Sequence, residues 1–138
     1  MRYLGLDLGS KTLGIALSDK TGFIASSYKI IRHDEEYDKL IDEVKSLVDE
    51  LKIEAIVLGF PKNMDGSIGF KGNLSLEFKE KLEKVLDVPV YLQDERLSTK
   101  SATDVLIQGN MSRKKRKGVI DAVAATIILQ SYLDRRDK

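Results

Sequence analysis

The chain has 138 residues, 42% of them hydrophobic, and a formal net charge of +1; this suits one sheet-and-helix core and leaves no room for a second catalytic domain. No apolar run reaches membrane-spanning length and the N-terminus enters a strand without a charged-then-apolar leader, so a soluble cytoplasmic protein is expected. With no cysteine, and His33 as the only imidazole, a disulfide framework and a nitrogen-and-sulfur zinc site are excluded, and any metal must be held mainly by oxygen.

The first segment, Tyr3 to Leu8, alternates in the manner of a strand: Leu4, Leu6 and Leu8 share one face, and Gly5, Asp7 and Gly9 the other. Asp7 is thus flanked by glycines. A carboxylate buried unpaired within an apolar strand costs several kcal/mol, and a bound cation is an economical compensation. The Gly9-Ser10-Lys11-Thr12 turn leads to a second strand, Leu13 to Asp19, with a bulky face (Leu13, Ile15, Leu17) and a small one (Gly14, Ala16, Ser18) that can receive a closely packed helix. A third strand is predicted over Phe23 to Ile31, completing an antiparallel meander.

The periodicity of Asp34 to Leu51 predicts an amphipathic helix with Asp34 as its N-cap; eight acids and two lysines between Asp34 and Glu50 give it a solvated acidic side. Glu54 to Gly59 reads as a strand buried on both faces. The polar loop Phe60 to Ser67 follows, with Asp65-Gly66 as a turn. A helix from Leu74 to Leu86 comes next, then a strand over Val88 to Leu92 that Pro89 marks as an edge. Ser98 can cap a helix ending near Gly109-Asn110, and Val119 to Leu133 predicts the last helix. Before it, Arg113-Lys114-Lys115-Arg116-Lys117 is an unbroken basic run. By itself such a run reads as a solvated loop, and the helix after it offers a positive N-terminal end. The order of elements describes a single α/β domain with a mixed sheet. If the first and fourth strands are parallel, their carboxyl ends open onto the crevice where such sheets bind ligands. Asp7 and Glu95 belong there, and Asp121 joins them if Ala122, Ala124 and Ala125 let the last helix cross the small-residue face.

Four segments carry a resemblance: Gly5-Leu6-Asp7-Leu8-Gly9-Ser10-Lys11, Gly59-Phe60-Pro61-Lys62-Asn63-Met64-Asp65-Gly66, Asp94-Glu95-Arg96-Leu97-Ser98-Thr99, and Lys117 to Ala125. In order and spacing they resemble the YqgF family, also called RuvX, a family of bacterial Holliday junction resolvases and ribosomal RNA precursor nucleases. The resemblance implies a ribonuclease H-like fold, with a five-stranded mixed sheet (three antiparallel strands, then two parallel) flanked by helices. It also implies a catalytic, metal-holding centre of Asp7, Glu95 and Asp121. The residue three after Asp121 is Ala124 where many nucleases of this fold have a fourth acid, so a second metal site is not implied. Mg²⁺ or Mn²⁺ suits such an all-oxygen set. Lys11, Arg96, Arg113, Lys114, Lys115, Arg116 and Lys117 are the candidate phosphate contacts. The expected partner is nucleic acid, an rRNA precursor or branched DNA, bound by a monomer or homodimer.

Each acid also has an ordinary reading, Asp7 as a structural turn acid. Glu95 next to Arg96 can be a surface ion pair, and Asp121 a residue favoured by the helix dipole. Two other functions fit parts of the pattern. One is a non-catalytic RNA- or DNA-binding module of this fold. The other is an ATP-binding domain of the actin and sugar-kinase type, whose phosphate loop resembles Asp7-Leu8-Gly9-Ser10 but which requires two lobes.

Overall fold

The computed structural model describes residues 2–9, 11–61, 65–94 and 113–136, with side chains 123–135 in the last helix. Strands β1 (Tyr3–Leu8), β2 (Thr12–Ser18) and β3 (Ala25–Arg32) are followed by α1 (Tyr37–Leu51), β4 (Ala55–Phe60), α2 (Phe70–Val85), β5 (Val90–Asp94) and α3 (Arg113–Arg136). The strands lie in the order β3-β2-β1-β4-β5. β1 and β3 run antiparallel to β2, while β4 is parallel to both β1 and β5. This is the expected mixed sheet, with β5 at an edge.

Side-chain alternation sends the two faces of the sheet to different helices. Leu4, Leu6, Leu13, Ile15, Ile56 and Leu58 pack with Leu40 and Val44 of α1 and Phe78 and Leu82 of α2. Tyr3, Ala16, Ala55 and Val57 pack with Ala125, Ile128, Leu129 and Leu133 of α3. Each fully buried leucine or isoleucine contributes about 1.5–3 kcal/mol, and a one-residue slip of β1 would turn Leu4 and Leu6 against the close-packed α3 face, which has no room for them, and drive Asp7 into the α1/α2 core. Register is therefore fixed by the same residues that aim Asp7 at α3.

α3 rests directly on β1. A Cβ built on Gly5 would lie 2.7 Å from Leu129 Cβ and 3.3 Å from the Ala125 carbonyl oxygen, so only glycine admits the helix this close. Polar contacts also fix the helix along β3: Gln130 Oε1 accepts from Ala25 N–H (2.9 Å), Gln130 Nε2 donates to the Phe23 carbonyl (2.8 Å), and the hydroxyls of Ser27 and Thr126 meet at 2.9 Å. Below, Tyr132 packs against Tyr3 (5.9 Å between ring centroids) and stacks on Tyr91 (5.5 Å).

Several element boundaries differ from the sequence reading, each for a local reason. β3 starts at Ala25, not Phe23, because the N–H groups of Phe23 and Ile24 are taken by Asp19 Oδ1 at 2.9 and 3.1 Å. With the Thr21 hydroxyl as the largest influence, these bonds hold the Asp19 carboxyl down at about 2. α1 starts at Tyr37; Asp34 is not its cap, since the chain first turns through Glu35 at φ 66°, and Glu36 at the cap position makes no side-chain cap bond. α2 starts at Phe70 rather than Leu74, because Phe70 and Lys71 are exposed and add nothing to the apolar period. β5 begins after Pro89, whose carbonyl accepts from Ile56 N–H at 2.9 Å, and runs to Asp94 instead of stopping at Leu92. The basic run from Arg113 to Lys117 is not a loop: its backbone forms the opening of α3. The helix expected after Ser98 lies outside the described residues.

Candidate active site

Asp7 is half-buried near the carboxyl end of β1, on the α3 face. It is paired with Gly14 of β2. On its other side, one step beyond the Leu6–Leu58 pair, it stands level with Gly59 of β4, and Gly59 in turn pairs with Gln93 of β5. The row across the sheet therefore reads Gly14, Asp7, Gly59, Gln93, and Gly5 and Gly9 flank Asp7 along its own strand. Four glycines surround the carboxylate at the carboxyl end of β1 and β4, where open α/β sheets generally bind ligands.

Two sets of contacts show that α3 runs antiparallel to β1. Moving up the sheet, Tyr3 meets Tyr132 and Gly5 meets Leu129 and Ala125; Ala25 meets Gln130 and Ser27 meets Thr126. A helical turn rises about 5.4 Å and two strand residues about 6.6 Å, so the next turn, from 125 back to 121, comes alongside Asp7. The backbone of residue 121 is thus brought to Asp7; the Asp121 side chain lies outside the described residues. With 24 residues α3 outreaches the strands, and its overhang, bearing Arg113 to Lys117, extends past the sheet at the Asp7 end.

Glu95 and Arg96 lie outside the described residues, directly after β5, which ends level with Leu8. Lys11 is exposed on the β1–β2 turn, 3.8 Å from the equally exposed Glu35; such a pair contributes little. Lys62, Asn63 and Met64 of the long loop are also outside the described residues. The Asp65-Gly66 turn is formed, with Asp65 Oδ1 accepting from Ser67 N–H at 2.9 Å and Gly66 at φ 90°.

His33 is a junction residue with a definite task. Its Nδ1 accepts from Glu35 N–H (3.1 Å), which leaves the proton on Nε2 to donate to the Gly9 carbonyl at 3.1 Å. Its own N–H donates to the Lys11 carbonyl at 2.9 Å. The ring therefore clamps the turn that follows Asp7. Each lost hydrogen bond costs about 0.5–1.5 kcal/mol. His33→Ala should lower stability by about 1–3 kcal/mol in urea unfolding and speed amide exchange at Glu35; unchanged exchange would refute the clamp.

Among the described residues, no group of three or more His, Cys, Asp or Glu could hold a metal ion. Asp7 is the only predicted metal ligand whose side chain is described. One observation favours an oxygen-bound cation here: Gln93 Oε1, in the Asp7 row, is buried and has no hydrogen-bond partner among the described residues. Alternation along β5 carries the signal that could have found it, a polar residue two before Glu95 on the α3 face.

The sheet order, the helix across the small-residue face and the acid at the end of β1 define a ribonuclease H-like domain of the resolvase type. RuvC from Thermus thermophilus in complex with Holliday junction substrate superposes with a TM-score of 0.61 at 15% identity, covering 100% of this chain and 97% of that one. Fowlpox virus resolvase with Holliday junction DNA gives 0.63 at 17% identity, with 100% of each chain covered. The chain belongs to the RuvX family, described as Holliday junction resolvase, which it matches over residues 1–135. It is 53% identical over 135 residues to a Bacillus licheniformis protein named "Putative pre-16S rRNA nuclease" (97% of each chain). It is also 49% identical over 137 residues to the Geobacillus sp. protein of that name (99% of each).

Proposed function

We propose that this chain is a divalent-metal nuclease that hydrolyses phosphodiester bonds in structured nucleic acid, with an rRNA precursor as its substrate. The observation that carries this reading is Asp7 on a glycine-lined row, with the 121 turn of α3 brought alongside. In this reading Asp7, Glu95 and Asp121 are the catalytic, metal-holding acids. Tyr91 and Gln93 face α3, and Glu95 follows two positions later in the sequence. Two carboxylates 4 Å apart repel by about 4 kcal/mol at an effective dielectric near 20, so three converging ones favour a cation. Mg²⁺ or Mn²⁺ fits the donor set. When bound, such an ion lowers the pKa of water and neutralises charge on the leaving oxygen.

The chain's own groups do the positioning. Asp7, Glu95 and Asp121 would hold the ion between them, and Glu95 would also orient the attacking water. Lys11, Arg96 and Arg113 to Lys117 grip phosphates on either side of the scissile bond. No helix among the described residues is long and apolar enough to cross a membrane, in keeping with a single domain working on RNA in the cytoplasm. RNA is preferred over a DNA junction because the relatives named for pre-16S rRNA are about half identical, whereas likeness to the junction-bound proteins is one of fold.

The test is a parallel cleavage assay of purified protein with Mg²⁺ or Mn²⁺ on structured RNA, junction DNA and duplex DNA. Preferential, metal-dependent RNA cleavage is expected; preference for the junction would reassign the substrate, and no cleavage of any would leave a binding module. For the basic run, Lys114→Glu with Lys115→Glu should weaken RNA binding and reduce the slope of log affinity against log salt by about 1.4–1.8, at about 0.7–0.9 per phosphate contact. An unchanged slope would rule out direct phosphate contact there.

A further inference from the structure

We infer that Gln93 presents a neutral oxygen to the ion held by Asp7, directly or through an ion-bound water; this rests on the metal site proposed above. Gln93 pairs with Gly59, and Gly59 stands level with Asp7, so the two polar side chains face one another across a residue with no side chain. Both are on the α3 face: Val57, paired with Tyr91, packs in the α3 core, and Tyr91 stacks on Tyr132.

The spacing suits an ion. Two interstrand steps separate the backbones by about 10 Å, and standard bond lengths let Asp reach roughly 3.5 Å and Gln roughly 4.5 Å from their Cα atoms. Because both side chains stand off the same face of the sheet, their oxygens can both come within reach of one ion or of a water bound to it.

Gln93 Oε1 is sealed from solvent and, among the described residues, accepts no hydrogen bond. More than nine in ten buried polar groups find a partner, so this one needs a reason. The other such atom among the described residues, Arg2 Nε, lies at the opposite end of the sheet, and its side chain is anchored by NH1 donating to the Leu51 carbonyl at 3.1 Å. A purely structural glutamine would be expected to have found such an anchor. A neutral donor also lets the site gather oxygen without adding another mutually repelling carboxylate.

The experiment is a Mn²⁺ titration of the full chain, following free Mn²⁺ by electron paramagnetic resonance, beside thermal melts in chelator. Gln93→Leu should weaken Mn²⁺ binding by about 10-fold, within the 10–100-fold range found when groups supporting a metal site are removed. Its metal-free melting temperature should equal or exceed that of the wild type, since an unsatisfied amide has been removed. Gln93→Glu should bind Mn²⁺ at least as tightly as the wild type. Asp7→Asn is the control for the site itself. If Asp7→Asn loses Mn²⁺ while Gln93→Leu binds like the wild type, the Gln93 inference is overturned and the metal site stands. If the wild type binds no Mn²⁺, both fall. A marked drop in the metal-free melting temperature of Gln93→Leu would make the residue structural and also overturn the inference.

Discussion

Asp7→Asn is expected to reduce metal-dependent cleavage of structured RNA by about 1,000-fold, from the loss of about 4 kcal/mol of transition-state stabilisation at 1.36 kcal/mol per tenfold in rate. Asparagine keeps the shape and one carbonyl oxygen but not the charge. The fold should tolerate it, because the flanking residues Gly5, Gly9 and Gly14 impose no packing on that side chain and the leucines that fix β1 lie on the other face. Single-turnover cleavage with Mg²⁺, alongside a thermal melt, checks both parts. A variant that cleaves at the wild-type rate would show that Asp7 does not hold the ion; one that fails to fold would show that the carboxylate is structural.

Gly5→Val should be the most disruptive single substitution on the α3 face. Even the first added carbon would sit 2.7 Å from Leu129 Cβ, whereas carbons pack at about 3.5–4.0 Å. Leu129 Cβ is fixed to the helix backbone, so α3 would have to lift by about 1 Å. Overpacking costs about 1–3 kcal/mol; Gly5→Ala should fall at the upper end and Gly5→Val beyond it, against total stabilities of about 5–15 kcal/mol for such domains. The molecules that still fold should cleave poorly, because a misplacement of about 1 Å can cost about 100-fold in rate. Urea unfolding and cleavage per folded molecule measure the two effects separately. If Gly5→Ala matches the wild type in both, the close approach of α3 is not what sets the site.

The alternation of Leu4, Leu6 and Leu8 against Gly5 and Asp7, and of Leu13 and Ile15 against Gly14 and Ala16, was sufficient to place both faces of the sheet. Period-two patterns record burial directly, and burial is what holds a strand in register. The seat of α3 was legible for the same reason, in the small residues of β2 and of the helix itself. Helix starts were harder to read. Exposed residues such as Phe70 and Lys71 leave no mark on an apolar period, and the bend at Glu35 is met by a ring nitrogen of His33, two residues away, whose ring the distant Gly9 carbonyl orients. The basic run looked like a loop because five adjacent charges carry no periodicity at all. Of the site, Asp7 could be placed from its glycine neighbours; for Gln93, alternation along β5 gives the face, but its being level with Gly59 and Asp7 is a relation between strands far apart in sequence.

The contact between Gly5 and Leu129 joins the first strand to the final helix, and it bears on when the protein becomes able to cut. β1 to β3 can pair locally, and α1, β4, α2 and β5 can add in turn, but the proposed site between β1 and α3 is not assembled until α3 has closed a loop of more than a hundred residues. Under the proposed function, hydrolytic competence would therefore arrive in one step with the docking of α3, and not gradually as the sheet grows.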